Sequence, residues 1–111
     1  MTFEEASQMV RTFREERDWD QFHNSKDLAI SISLEVAELL EVFQWSGADL
    51  EVTAENQHLC EELADVMIYC VHLAQHLGVD PAELIASKMR KNEKKYPVDK
   101  ARGSAAKYTE L

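Results

Sequence analysis

Glycine, proline and cysteine are scarce in this chain of 111 residues, which holds three, two and two of them. So few turn formers leave little room for the many reversals of an all-β fold, and helix becomes the default. Cys60 and Cys70 cannot pair if one helix carries both, because ten residues of α-helix set them about 15 Å apart. Each is expected as a small buried apolar side chain. No apolar run approaches the roughly 18 residues of a membrane span. The opening MTFEEASQMVRTF also lacks the basic start and small-residue cleavage site of a signal peptide. No membrane partner and a cytoplasmic location are the resulting expectations.

Basic residues are scarce in one part of the chain only. Residues 1–87 carry four basic and eighteen acidic side chains, a net −14, whereas residues 88–111 carry eight basic and three acidic, a net +5. The overall charge of −9 argues against a nucleic-acid polymer as partner. The basic end is suited to meet an anion held by the acidic body.

What is present is 45% apolar content in a length that suits one small domain, residues 1–111. Four amphipathic helices with clear punctuation cover most of it. The first opens at Thr2, with Glu5 at a capping-box spacing, and runs to about Arg17 on the apolar positions Phe3, Ala6, Met9, Val10 and Phe13. The second begins after Asn24 and Ser25 and continues to about Trp45, with Gly47 as its stop. The third starts near Thr53 and ends at Gly78. In the fourth, Asp80 caps, Pro81 takes the first position, Glu83 completes the box and Pro97 ends the helix. Residues 97–111 read as an extended tail. Short links between long amphipathic helices predict an antiparallel four-helix bundle.

The stretch SLEVAELLEVFQW carries acids where a core-facing stripe should be apolar. With Glu35 set at 0° and about 100° per residue, Leu28 falls near 20°, Leu39 near 40°, Ile32 near 60° and Val42 near 340°. Glu35 therefore lies inside the stripe; Glu38, near 300°, sits at its edge; Glu41, near 240°, is further round and wet. In EELADVMIYCVHLAQHLG the stripe is Leu59, Leu63, Val66, Cys70, Leu73 and Leu77, with Glu62, Asp65 and Tyr69 along one border and Glu61 outside it. Two successive helices thus each offer acids spaced i,i+3. Converging carboxylates repel and are costly to desolvate, and only Arg11, Arg14, Arg17 and Lys26 precede position 88 to pair them. A hard divalent cation, Mg²⁺ with Mn²⁺ as a substitute, compensates better.

SLEVAELLEVFQW, EELADVMIY and KMRKNEKKYP, flanked by RDWDQFH and PVDKARG and closed by KYTEL, resemble the MazG-like group of all-α NTP pyrophosphohydrolases, most closely its dCTP pyrophosphatase branch. The resemblance implies Mg²⁺-dependent hydrolysis of a nucleoside triphosphate, typically a deoxynucleotide, to monophosphate and pyrophosphate by attack of an activated water on the α-phosphorus. It implies Glu35, Glu38, Glu62 and Asp65 as metal ligands. Trp19, His23, Trp45 and Tyr69, with Phe22 beside them, would form the base and sugar pocket. Lys88, Asn92, Lys95 and Tyr96 would face the phosphates. It also implies a homo-oligomer, dimer or tetramer, with the nucleotide site built between chains.

Two other readings compete. A di-iron or di-manganese carboxylate bundle needs Glu-x-x-His on each of two helices, and only Glu55 to His58 fits. His72 and His76, spaced i,i+4, fall outside H-E-x-x-H and are expected as partly exposed helix residues. A non-enzymatic helical module would use the acids as a docking surface for a basic partner.

Overall fold

The computed structural model describes residues 1–111 and contains helices and turns only. Its helices are α1 (Phe3–Glu16), α2 (Ser25–Glu41), α3 (Asn56–His76), α4 (Pro81–Lys95) and the short α5 (Val98–Ala101), with 3₁₀ turns at Trp19–Phe22, Thr53–Glu55 and Tyr108–Glu110. The all-α class and each of the four expected helices are present. The chain divides into two compact units, Met1–Gly78 and Val79–Leu111.

In the first unit, Thr2 Oγ1 accepts from the Glu5 amide at 3.1 Å and starts α1 as its spacing predicts. Asp18, in the left-handed region at φ 52°, then turns the chain into Trp19–Phe22. Asn24 and Asp27 cap α2: Asn24 Oδ1 accepts from the Asp27 amide at 2.9 Å, and Asn24 Nδ2 donates to Asp27 Oδ2 at 2.7 Å. α2 stops at Glu41, four residues short of Trp45, because Val42, Phe43 and Gln44 switch to i→i−3 bonds that tighten its end. Gly47, at φ 56°, completes the stop.

The link to α3 is pinned by Asp49 Oδ1, which accepts from the amides of Glu51 and Val52 at 3.2 and 3.1 Å. Val52 is buried at φ 42°, a left-handed conformation that costs a β-branched residue about 1–3 kcal/mol. Its burial helps offset that cost. α2 packs along α3, and α1 packs on α3.

The α2 stripe is as predicted, with Leu28 fully buried and Ile32, Glu35, Leu39 and Val42 half-buried. The α3 stripe is not. Leu59, Val66 and Leu73 are half-buried, but Leu63, Cys70 and Leu77 are exposed, and Val71, His72 and Ala74 are the buried residues. α3 is covered on two sides, by α2 and by α1, so a single stripe cannot describe it. Cys60 and Cys70 are both free and exposed, because neither helix covers their side.

In the second unit, Pro81 opens α4 as expected, but the Asp80 side chain makes no capping bond. The Asp80 carbonyl instead accepts from the Leu84 amide at 2.9 Å. Residues 97–111, expected as an extended tail, contain two short helical turns, α5 and Tyr108–Glu110, with irregular chain between them. The Pro97 carbonyl accepts from the amides of Lys100 and Ala101 to close α5, and the Tyr108 ring packs edge-on against Tyr96 with centroids 6.0 Å apart.

Candidate active site

The i,i+3 spacing places Glu35 and Glu38 together on α2, and Glu62 and Asp65 together on α3. One carboxylate oxygen from each converges with the others, all within 4.8 Å. Glu35 and Glu62 are partly buried, whereas Glu38 and Asp65 are exposed. Glu41 and Glu61 lie on the exposed surface, as their helical angles predict.

Two like charges about 4.8 Å apart repel by about 3 kcal/mol at an effective dielectric near 20, and no lysine or arginine pairs with any of the four. Glu35 Oε2 and Glu62 Oε2 are buried without a hydrogen-bond partner. Burial, then hydrogen bonding with Glu38 and the charges of Glu38, Asp65 and Glu62, pushes the Glu35 carboxyl above the usual carboxylate range. Orphaned anionic oxygens in a converging all-oxygen set fit a hard divalent cation, which removes both the repulsion and the missing bonds.

Beside α1 lies a polar network that sequence reasoning missed. Arg14 is the buried residue of α1: its Nε donates to Asp20 Oδ1 at 2.7 Å, and its Nη1 donates to Gln75 Oε1 at 2.6 Å and to His72 Nδ1 at 3.0 Å. Gln75 Nε2 continues to the Ser7 carbonyl at 2.9 Å. Because an arginine only donates, His72 Nδ1 must accept, which leaves the imidazole neutral with its hydrogen on Nε2.

His72 is buried rather than partly exposed, whereas His76, its i,i+4 neighbour, is exposed. Burial, reinforced by His23 and Arg14, lowers the His72 pKa to about 4. The available signal was spacing, since Arg14 follows Val10 by four residues and so shares its inward face.

Two of the predicted pocket residues adjoin this network. His23 meets the His72 ring with centroids 4.9 Å apart, and Tyr69 meets it at 5.5 Å. His23 Nδ1 is buried without a partner, and burial together with Arg14 holds its pKa below the ordinary value. Trp19 stands edge-on to Phe13 at 5.5 Å, and Phe22 is exposed. Trp45 lies on the turn after α2, 89% exposed, and is not brought to the other aromatics. In the second unit, Lys88, Asn92 and Lys95 recur at i, i+4 and i+7 on α4, Tyr96 follows its end, and Lys95 Nζ sits 4.8 Å from the Tyr108 ring centroid.

The family model described as MazG-like matches residues 30–111. The chain belongs to the MazG-like family. All four clustered acids of this MazG-like chain fall inside the matched residues, whereas Trp19 and His23 precede them. The dCTP pyrophosphatase 1 of Mus musculus is 43% identical over 115 residues, covering 99% of this chain and 68% of that protein. That of Homo sapiens is 42% identical with the same coverage. The crystal structure of a pyrophosphatase from Archaeoglobus fulgidus is 46% identical at a TM-score of 0.75, covering 85% of this chain and 91% of the other.

Proposed function

We propose that this MazG-like chain is a Mg²⁺-dependent pyrophosphohydrolase that converts deoxynucleoside triphosphates to monophosphate and pyrophosphate. dCTP or a modified dCTP is the favoured substrate, and dATP is a secondary one. The enzyme class is that of a nucleoside triphosphate pyrophosphatase, in line with the pyrophosphatases to which it is similar. The observation that carries the reading is the convergence of four carboxylates, two of them with buried unpartnered oxygens.

Glu35, Glu38, Glu62 and Asp65 would hold the cation. Mg²⁺, or Mn²⁺ in its place, supplies acidification of a water and charge neutralisation of the triphosphate. Glu35 and Glu62 fix the inner side of the site from two packed helices. Glu38 and Asp65, being exposed, keep its outer side open to water and substrate.

Trp19, His23, Trp45 and Tyr69 are assigned to base and sugar, and Lys88, Asn92, Lys95 and Tyr96 to the phosphates, through the family motifs that carry them. An aromatic face stacks a base for about 1–3 kcal/mol. The first unit leaves Ile30, Leu34, Leu40, Leu63 and Met67 about half exposed or more. So much open apolar side chain supports a homo-oligomer, and a second copy covering it would also enclose the exposed Trp45. No helix is long and apolar enough to cross a membrane; a cytoplasmic location is part of the proposed reading.

A panel of canonical and modified deoxynucleoside triphosphates, assayed for pyrophosphate with Mg²⁺ or Mn²⁺, tests this reading. Release from dCTP that is abolished by a chelator and by Glu38→Gln or Asp65→Asn is expected. Absence of pyrophosphate from every substrate at every metal level refutes it, and leaves the helical docking module in its place.

A further inference from the structure

His58 stands one helical turn before Glu62, and the i,i+4 spacing puts both side chains on one face of α3. Its Nε2 lies 3.1 Å from Glu62 Oε1, and its Nδ1 lies 3.5 Å from Glu55 Oε2. An ionised carboxylate only accepts, so Nε2 carries the hydrogen and donates to Glu62.

The other oxygen of that carboxylate, Glu62 Oε2, is buried and has no protein partner. The two oxygens are thereby given separate tasks, one engaged by the imidazole and the other left to the acid cluster. The terminal torsion of a glutamate is broad and roughly two-fold, so the bond from the imidazole helps to fix which oxygen is turned to which side.

We infer that His58 is a positioning residue for Glu62, and that by holding Oε1 it orients Oε2 toward a bound divalent cation and raises the affinity of the cluster for it. The inference rests on the metal-site reading given above and extends it to residues outside the four acids. It also gives the Glu55-x-x-His58 pair a use. In sequence this pair looks like half of a di-iron ligand set; in the fold, Glu55 flanks the far side of the ring while the near side faces Glu62. The rival account is a plain helix-surface contact between His58 and Glu62, without effect on a metal.

The two accounts separate in a metal-binding measurement that needs no substrate. Mn²⁺ binding to the full-length chain is followed by electron paramagnetic resonance for the wild type, His58→Ala and His58→Gln. His58 is half exposed, and alanine and glutamine are both good helix formers, so both variants keep the fold.

Loss of the outer hydrogen bond is expected to weaken Mn²⁺ binding by roughly 10- to 100-fold in His58→Ala. His58→Gln, whose side-chain amide also donates, should restore most of that loss. Equal dissociation constants for the wild type and His58→Ala overturn the inference while leaving the metal site standing. A glutamine variant as weak as the alanine variant overturns the hydrogen-bond account. Failure of the wild type to bind Mn²⁺ at all removes the metal-site reading and this inference with it.

Discussion

Arg14 Nη1 stands 3.0 Å from His72 Nδ1, and both residues are buried where α1 meets α3. The same guanidinium reaches Asp20, in the turn between Trp19 and His23, so one side chain ties together two helices and the segment that carries two proposed pocket residues.

Replacing Arg14 with methionine keeps the apolar stem but leaves His72 and Gln75 without their donor. A loss of about 2–3 kcal/mol is expected, because the buried partners forfeit their bonds while the largely exposed Asp20 recovers water. Urea unfolding followed by circular dichroism measures it.

Acid should weaken the fold through His72. Its pKa is about 4 in the folded chain against an ordinary 6.5, so between these values the unfolded state binds the extra proton. The contribution is fully present above about pH 6.5 and is lost as the pH falls toward 4. Urea midpoints across this window should drop with pH, and less steeply in His72→Gln, which has no proton to gain.

Glu35→Gln should separate stability from function. The substitution removes a partly buried charge that three other acids repel, so the metal-free protein should melt at a higher temperature than the wild type. The same variant should lose Mn²⁺ binding and pyrophosphate release. A lower melting temperature in metal-free buffer would count against the strain assigned to this glutamate.

Trp19→Ala should raise KM for dCTP by about 5- to 150-fold with a smaller change in kcat, the signature of a lost stacking face worth about 1–3 kcal/mol. Trp45→Ala should leave the stability of the isolated chain unchanged, since the ring is 89% exposed. Its effect on KM should accompany assembly, so light scattering and kinetics over the same range of protein concentration check both points.

Much of the acid cluster was legible from sequence because it depends on two local facts, the i,i+3 spacing within each helix and the position of Glu35 inside the α2 stripe. Helical geometry also demoted Glu41 and Glu61, and both are exposed. Capping chemistry located the start of α1 and of α2 for the same reason, since Thr2 and Asn24 act within three residues.

Features that depend on two elements meeting were not legible. The burial of His72 requires α1 to cover one side of α3 and Arg14 to point into that contact, which no window along α3 contains. The exposure of Cys70 and Leu77 has the same origin, because periodicity says that a face is apolar and not which neighbour covers it. The packing of Tyr108 against Tyr96 joins positions twelve residues apart, whereas the α5 turn within the same segment is closed by local bonds to the Pro97 carbonyl.

Val52 divides the chain into a part whose length is free and a part whose length is fixed. It is buried in a left-handed conformation just before the turn that leads into α3, and Glu62 follows ten residues later. A residue inserted between Gly47 and Ala48, in exposed chain ahead of the Asp49 contacts, is absorbed by the link. A residue inserted within α3 ahead of Glu62 turns that glutamate by about 100° relative to the anchored start, away from Glu35 and out of the cluster. The valine is thus the ruler from which the acids of α3 are measured, and the chemistry at the site inherits its phase from a residue ten positions ahead of Glu62.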